Sequence, residues 1–256
     1  MGALDGRTAV VTGASTGIGL VTARALATEG ARVAVGARRV ELMEQEAARL
    51  PGEGHLAGEL DVTDDASARA FVAQAVERFG RIDILVNNAG LALGRGSIAD
   101  GSDEDDRIMV ETNVLGLLRM TRLVLPHMED WRGHIVNLGS WAGREWYAGG
   151  GMYVGTKTAV RALTEVMRKD LVGRVRVTTV DPGMVGDTEF SDVRFRGDSE
   201  TKDAVYRGVR YLTPGDVADC ILWAVTRPAH MVVDEIVVKP LQQASQDNIV
   251  RDQGGH

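Results

Sequence analysis

The sequence predicts a doubly wound α/β fold, with a mainly parallel sheet of seven strands and helices on both faces. Short apolar runs rich in β-branched residues alternate with longer amphipathic runs along the whole chain. Continuous apolar runs are typical of strands covered on both faces, and strand–helix alternation favours a parallel sheet. Because the 256 residues contain no linker rich in Pro, Gly or Ser, we expect a single domain over residues 1–256.

The charge and composition argue against several classes of function. The chain has 29 basic and 36 acidic side chains, a net charge of −7, whereas nucleic-acid and anionic-membrane partners need a basic face. Its apolar runs of five to seven residues are too short to span a bilayer, and residues 1–5 lack the features of a secretory signal. The single cysteine, Cys220, cannot form an intrachain disulfide, which fits the reducing cytoplasm. The five histidines lack metal-ligand spacing, so no metal is expected.

The positions of the strands and helices follow from the apolar runs and from end signals. The predicted strands are Thr8–Thr12, Arg32–Ala37, Gly54–Asp61, Ile82–Asn87, His134–Leu138, Val175–Asp181 and Glu235–Lys239. The predicted helices are Gly17–Gly30, Thr63–Phe79, Asp103–Met128, Tyr153–Leu171 and Pro214–Thr226. Gly30 and Gly80 suit helix C-termini, and Thr213-Pro214 suits a helix start. Ligands of such sheets bind beyond the carboxyl ends of the strands, so we expect the chemistry there.

The first predicted strand leads through a glycine-rich turn into the first helix. Missing side chains at Gly13, Gly17 and Gly19 let backbone N–H groups approach a diphosphate. The helix N-terminus adds the positive end of its dipole. We therefore expect the whole turn to contact a dinucleotide cofactor: Gly13, Ser15, Thr16, Gly17, Ile18 and Gly19.

The second predicted strand ends without the acidic residue that would bind the ribose 2′-hydroxyl of NAD. Arg38 and Arg39 follow it instead, and guanidinium groups bind phosphate bidentately. We expect this pair to bind the 2′-phosphate of NADP(H), with the Ser15 hydroxyl adding a contact. The alternative is that both arginines are solvated residues at a helix start.

Tyr153 and Lys157 lie four residues apart on a predicted helix and therefore share a face. A neighbouring ammonium lowers the pKa of a phenol. We therefore expect Lys157 to lower the pKa of Tyr153, so that Tyr153 can exchange a proton with a substrate oxygen. Ser140 follows the fifth strand, where its hydroxyl can hydrogen-bond the same oxygen.

In order and over the full length of the chain, these motifs resemble those of the classical short-chain dehydrogenase/reductase family, which has a Rossmann fold. The glycine turn matches the family pattern T-G-x-x-x-G-x-G from Thr12 to Gly19. The further matches are Asp61-Val62, Asn87-Asn88-Ala89-Gly90, Asn113, Ser140, Tyr153-Val154-Gly155-Thr156-Lys157 and Pro182-Gly183.

This resemblance implies a role for each matching residue. Tyr153 is the implied general acid/base, Ser140 positions the substrate oxygen, and Lys157 holds the nicotinamide ribose. Asn113 is implied to support a proton-relay water. The other implied cofactor contacts are Asp61, Val62, Asn88, Ala89, Gly90, Pro182, Gly183, Val185 and Thr188. For Asn88 the alternative, which we favour, is that it ties neighbouring strands together. Family members usually form homotetramers through two long helices, so we expect a homo-oligomer, a tetramer or dimer, paired through the helices Asp103–Met128 and Tyr153–Leu171.

Two segments, residues 141–152 and the loop 184–211, are expected to line the substrate pocket. Trp141, Trp146, Tyr147 and Met152 either form an apolar wall or serve as packing residues, and Met184 is a further candidate substrate contact. Arg194 either binds a substrate carboxylate or is an ordinary solvated residue. A long loop over a site is typically a mobile lid.

Within the family, Thr188–Asp198 resembles a segment of the NADP-dependent 3-hydroxy acid dehydrogenases. Those enzymes act on small acids such as L-serine, L-allo-threonine and 3-hydroxyisobutyrate. The resemblance implies hydride transfer between NADP(H) and a 3-hydroxy acid or its 3-oxo acid or semialdehyde. Trp141, Trp146 and the tail 241–256 depart from that pattern. A bulkier aldehyde or ketone, as in related aldehyde reductases of secondary metabolism, is therefore the alternative substrate.

A non-catalytic NADP(H)-sensing protein is a third hypothesis from a different class. Such a protein needs only the dinucleotide site. The intact set of Ser140, Tyr153 and Lys157 argues against this hypothesis.

Overall fold

Seven strands in the order β3-β2-β1-β4-β5-β6-β7 form one sheet in the computed structural model, which describes residues 2–252. The strands are β1 (Thr8–Thr12), β2 (Arg32–Ala37), β3 (Leu56–Glu59), β4 (Ile84–Asn87), β5 (His134–Leu138), β6 (Arg176–Pro182) and β7 (Glu235–Val238). Each pair of neighbouring strands is parallel. The predicted doubly wound α/β fold is thus confirmed.

Nine α-helices cover the sheet within residues 2–252. They are α1 (Gly17–Thr28), α2 (Val40–Ala47), α3 (Asp65–Phe79), α4 (Asp103–Val110), α5 (Leu117–Val124), α6 (Gly151–Asp170), α7 (Phe190–Arg194), α8 (Ser199–Tyr206) and α9 (Pro214–Val225). Several ends follow the predicted signals: Gly80 ends α3 in the left-handed conformation, and Thr213 and Asp216 form a capping box at the start of α9. In the part of the chain that the structure describes, no helix is long and apolar enough to cross a membrane.

Some strand and helix boundaries in the structure differ from the predicted ones. The third strand begins at Leu56 rather than Gly54, because Gly54 has φ +78° and cannot continue an extended strand. The predicted helix Asp103–Met128 is α4, a π-helical stretch over Glu111–Gly116, α5 and a 3₁₀ turn over Leu125–His127. Helix α2 was missed, and the predicted loop 184–211 contains α7 and α8.

Two apolar cores lie on opposite faces of the sheet. Val10 and Val11 of β1 are fully buried, but Val10 packs with Phe71 of α3, whereas Val11 packs with Leu26 of α1 and Ile221 of α9. Burying a side chain of this size stabilises the fold by about 1.5–3 kcal/mol. The two cores explain why the strands read as continuous apolar runs.

The strand order reverses direction between β1 and β4, which both lie at the centre of the sheet. In open α/β sheets, ligands bind at the carboxyl ends of the strands next to such a reversal. The glycine turn that follows β1 and the segment that follows β4 meet at this point. The fold therefore brings the predicted site residues to one edge of the sheet.

Candidate active site

A cleft of about 650 Å³ opens at the carboxyl ends of β1, β4, β5 and β6. Most residues predicted to bind cofactor or substrate line it. They are Gly13, Ser15, Thr16, Gly17, Ile18, Arg38, Arg39, Asp61, Val62, Asn88, Ala89, Gly90, Ser140, Trp141, Tyr147, Tyr153, Lys157, Pro182, Gly183, Met184, Val185, Thr188 and Arg194. Gly19, Asn113 and Trp146 do not line the cleft.

The glycine turn after β1 is packed too tightly for side chains. Gly13 has φ +64°, and a Cβ there would lie 2.8 Å from the Cα of Ala89. A Cβ at Gly19 would lie 2.4 Å from the side-chain nitrogen of Asn88. Gly19 therefore supports the turn from behind rather than lining the cleft. Thr16 precedes α1 without a side-chain cap, which leaves the N–H groups of the first helical turn open to an anion.

Asn88 joins the glycine turn to the end of β4. Its side-chain amide donates to the carbonyl oxygens of Thr12 and Gly13, both at 2.9 Å. The Thr12 hydroxyl in turn accepts from the backbone N–H groups of Asn88 and Ala89. This network fixes the distance between the two strand ends that form the floor of the cleft.

The two arginines after β2 have different surroundings. Arg39 donates to Ser15 Oγ at 3.0 Å and forms a two-point ion pair with Glu189, at 2.7 and 3.1 Å. Arg38 lies near Asp61. Burial raises the pKa of Asp61, but hydrogen bonds from Thr63 and the charge of Arg38 outweigh this and lower that pKa below its usual value.

Tyr153, Lys157 and Ser140 come together at the cleft, Tyr153 and Lys157 from α6 and Ser140 from the end of β5. Tyr153 and Lys157 are 8% and 7% exposed. The Lys157 ammonium donates to the Leu138 carbonyl oxygen at 2.8 Å. Burial lowers the pKa of Lys157 to about 8, against the opposing charge of Asp181.

The pKa of Tyr153 differs from the sequence-based expectation. Burial raises it to about 12, although the Ser140 hydroxyl and the Arg194 charge act to lower it. The sequence predicted that Lys157 would lower this pKa. In the structure Lys157 is itself buried against Leu138, so the desolvation of the phenolate dominates. The phenol is therefore protonated at neutral pH.

Asn113 lies in the π-helical stretch between α4 and α5 and is 2% exposed. Its side-chain oxygen accepts from the Leu91 N–H at 2.8 Å. Its amide nitrogen donates to the Leu91 carbonyl at 2.8 Å and to Thr156 Oγ1 at 3.0 Å. The side chain thus joins the segment after β4 to α6, one position before Lys157.

Arg194, at the end of α7, lies over the ring of Tyr153. Its guanidinium carbon is 5.3 Å from the ring centre of Tyr153 and 5.9 Å from that of Tyr147, and its Nη2 donates to the Tyr147 hydroxyl at 3.0 Å. Phe190, also on α7, has its ring 5.6 Å from that of Tyr153. Glu189 and Phe190 were not predicted to line the cleft, because the resemblance of Thr188–Asp198 to a family segment assigned these two residues no role.

The predicted aromatic wall is present only in part. Trp141 lines the cleft, donates to Glu145 at 2.9 Å and has the Lys239 ammonium 4.0 Å above its ring. Trp146 is 70% exposed, so it does not form a pocket wall as predicted.

The predicted tail 241–256 takes part in the cleft through Gln243, which accepts from the Met184 N–H at 2.9 Å. Residues 253–256 of that tail lie outside the described residues. Within residues 2–252, no three His, Cys, Asp or Glu side chains are placed to hold a metal ion.

Comparison with known proteins identifies relatives over nearly the whole chain. Residues 7–198 match the family model for short chain dehydrogenases. An NADP-dependent 3-hydroxy acid dehydrogenase of Schizosaccharomyces pombe is 41% identical, over 99% of this chain and 100% of its own length. A serine 3-dehydrogenase of Agrobacterium fabrum is 40% identical, over 93% of this chain and 95% of its own. A solved structure, the closed form of serine dehydrogenase complexed with NADP+, has a TM-score of 0.90 at 40% identity and covers 96% of this chain and 100% of its own.

Proposed function

Since the chain belongs to the short-chain dehydrogenase family and is an NADP(H)-dependent oxidoreductase that acts on CH–OH groups, we propose that it transfers a hydride between NADP(H) and a small 3-hydroxy acid or its 3-oxo acid or semialdehyde. The observation that carries this proposal is Arg194, whose guanidinium lies over the ring of Tyr153. The names of the relatives, 3-hydroxy acid dehydrogenase and serine dehydrogenase, support it independently.

The cleft suits NADP(H). The bare backbone at Gly13 and Gly17 and the open N-terminus of α1 suit the diphosphate. Arg38, Arg39 and Ser15 offer cationic and hydroxyl donors for the 2′-phosphate. Lys157 and Asn88 to Gly90 lie on the nicotinamide side. When bound, the nicotinamide supplies the hydride in reduction and accepts it in oxidation.

The protein's own residues handle the proton. Tyr153 is protonated at neutral pH and donates its phenolic proton to the substrate oxygen in reduction. Ser140 holds that oxygen with its hydroxyl. In oxidation the phenolate form of Tyr153 accepts the proton of the substrate hydroxyl. Lys157, four positions further along α6, lines the same cleft and is placed to hold the nicotinamide ribose.

The carboxylate of a 3-hydroxy acid lies only two carbon atoms from the reacting carbon. A cation that binds it must therefore lie close to the catalytic phenol. Arg194 meets this condition, since its guanidinium carbon is 5.3 Å from the centre of the Tyr153 ring, and arginine binds carboxylates bidentately. Its existing bonds to Tyr147 and to the Gly94 carbonyl orient the side chain.

A bulkier aldehyde or ketone is the second candidate substrate. The observation that favours it is the apolar wall of the cleft, formed by Trp141, Phe190, Phe195 and Tyr206. Such a substrate needs no cation, so its turnover would not depend on Arg194.

The test is NADP+ reduction by the purified protein with L-serine, L-allo-threonine, 3-hydroxyisobutyrate and 3-hydroxypropionate, with NAD+ in parallel. Arg194→Gln should raise the KM for the preferred acid at least tenfold, the value expected for a lost charge-assisted hydrogen bond of about 1.5–3 kcal/mol. The methyl ester of the same acid serves as the control substrate, and its KM should be unchanged by the substitution. Absence of turnover with all four acids, together with NADPH-dependent reduction of larger aldehydes, would favour the second candidate.

We also propose a homo-oligomer, a tetramer or dimer, in the reducing cytoplasm. The exposed apolar side chains of Ile108, Leu115 and Val166 on the long helices support self-association.

The thiol of Cys220 is half-buried, and burial raises its pKa, so it is an unreactive packing residue that suits a reducing compartment.

A further inference from the structure

Glu189 places an anion inside the cofactor cleft. Its two carboxylate oxygens accept from Arg39 at 3.1 and 2.7 Å, and Oε2 also accepts from the Thr16 hydroxyl at 3.2 Å. Arg39 binds Ser15 Oγ at 3.0 Å with the same nitrogen that binds Glu189. The carboxylate therefore occupies hydrogen-bond donors that a bound phosphate would use.

The pair joins two distant parts of the chain across the cleft. Arg39 follows β2 and precedes α2, on the adenosine side. Glu189 precedes α7 and follows Thr188, whose side chain lies against the glycine turn, 3.3 Å from where a Cβ of Gly17 would be. The contact thus connects the phosphate-binding side of the cleft to the segment that carries Phe190 and Arg194.

The pair is charged and yet weakly held. The hydrogen bond from Arg39 lowers the pKa of Glu189, so the carboxylate is ionised at neutral pH. The side chains of Arg39 and Glu189 are 49% and 51% exposed, and exposed ion pairs contribute little because water screens them. A ligand that binds Arg39 more strongly can therefore displace Glu189.

We propose that Glu189 is an internal competitor of the cofactor's 2′-phosphate and sets the margin by which the cleft prefers NADP(H) over NAD(H); this inference rests on the proposed 2′-phosphate site. A phosphate monoester has a charge of about −1.5 to −2 and three acceptor oxygens, against one charge on a carboxylate. It displaces Glu189 from Arg39. NAD(H) carries a hydroxyl at this position, so it leaves the Arg39–Glu189 pair in place.

The competition also gives the 2′-phosphate an effect beyond its own contacts. Displacing Glu189 releases the start of α7 from Arg39. The substrate-side residues Phe190 and Arg194 lie one and five positions further along the chain. Whether the bound cofactor carries a 2′-phosphate therefore affects the position of the segment that lines the substrate pocket.

The experiment is calorimetric titration of the full chain with adenosine 2′,5′-bisphosphate and with adenosine 5′-monophosphate. Glu189→Gln should lower the Kd of the bisphosphate about twofold to fivefold, the range that corresponds to the loss of one exposed ion pair. The Kd of the monophosphate should change less. Raising the salt concentration should reduce the difference, because the pair is exposed.

Glu200→Gln is the matched control. Glu200 lies in the first turn of α8, on the same segment, and does not line the cleft, so the preference for the bisphosphate should not change. In an Arg39→Gln background, Glu189→Gln should no longer tighten the bisphosphate, because the group for which the two anions compete is gone. Glu189→Ala provides a second variant if the glutamine variant is unstable.

An unchanged or weaker preference for the bisphosphate in Glu189→Gln overturns this inference alone; a weaker preference would mean that Glu189 and Arg39 close together over the bound cofactor. If the unsubstituted protein binds the bisphosphate no better than the monophosphate, the 2′-phosphate site itself is wrong. The two failures are therefore distinguishable from the same titrations.

Discussion

Arg38 and Arg39 are adjacent in sequence, but only Arg39 pairs with Glu189. Arg38→Ala should therefore weaken NADPH binding without altering the Arg39–Glu189 pair. We expect a loss of about 1.5–3 kcal/mol, or roughly tenfold to 150-fold in Kd, the value of a charge-assisted hydrogen bond. NADH binding should change little. Arg49→Ala removes an arginine beyond the end of α2 and outside the cleft, and fluorescence titration should show no effect for it. An unchanged NADPH affinity in Arg38→Ala would remove Arg38 from the phosphate site.

Tyr153 is the residue on which the proposed chemistry depends. Tyr153→Phe should lower kcat by about 10²–10⁴, the usual contribution of a positioned acid/base group, while NADPH still binds. Tyr211→Phe removes a phenol that bonds Asp187 at 3.1 Å outside the cleft and should leave kcat unchanged. Single-turnover kinetics separate the proton-transfer step from product release. Retained turnover in Tyr153→Phe would rule out the assignment.

Lys157 gives the folding stability a specific dependence on pH. Its pKa is about 8 in the folded protein, against 10.5 ordinarily. Between these values the unfolded chain holds more protons than the folded one, so this group makes the free energy of unfolding rise with pH from about 8 upward. Urea unfolding at pH 7, 8 and 9 should show this rise, and Lys157→Met should lack it.

The matched control for this pH series is Lys169→Met, which replaces a 72% exposed side chain on the same helix. That variant should keep the rise. An identical pH dependence in the Lys157 variant and the unsubstituted protein would show that Lys157 is not the titrating group. Tyr153 acts in the opposite direction only above about pH 10, because its pKa is raised to about 12.

The site residues that could be predicted from the sequence are those that belong to a motif. Tyr153, Lys157 and Ser140 were predicted to meet at one site because of their spacing and their position after a strand, and they do line the same cleft. Glu189 and Phe190 were not predicted there, because their role depends on where α7 folds over the cleft. The direction of the Tyr153 pKa shift also depended on burial, which the spacing of Tyr153 and Lys157 does not reveal.

At the scale of elements, the glycine turn between β1 and α1 is the most tightly constrained connection. Gly13→Ala should destabilise the fold and weaken cofactor binding, because the new methyl group would face the Ala89 backbone at 2.8 Å in a left-handed conformation. Gly80→Ala is the matched control: Gly80 has φ +80° but open space around it. The free energy of unfolding of that variant should fall by only about 1–2 kcal/mol, the cost of placing alanine in a left-handed conformation. If urea unfolding showed the same loss of unfolding free energy in Gly13→Ala and Gly80→Ala, the role of the Ala89 contact would be contradicted.

The strands were predicted almost completely, because burial on both faces gives them continuous apolar runs. Helix α2 was missed because Arg39, which precedes it, makes no side-chain cap. The π-helical stretch has no recognised signal in the sequence; within it, Asn113 bonds Leu91 and Thr156, which lie on other elements. Tertiary contacts, rather than local preference, decide these elements.

At the scale of the whole molecule, the exposed apolar residues on the long helices predict self-association. Light scattering should give the mass of a dimer or tetramer. Val166→Asp introduces a charge at a 51% exposed position on α6 and should shift the protein towards smaller species. Val172→Asp, at a 78% exposed position beyond the end of α6, should not. A monomer in the unsubstituted protein would contradict the proposed oligomer.

The segment around α7 contacts both proposed ligand sites. Thr188 lies against Gly17 and Glu189 accepts from Thr16, whereas Phe190 and Arg194 lie beside Tyr153. A substrate that arrives first meets a pocket whose upper side is still tied to Arg39 through Glu189. NADP(H) should consequently lower the Kd of the acid, by about twofold to fivefold, because a single exposed ion pair holds the segment. By linkage, the bound acid should tighten the binding of NADP(H) by the same factor.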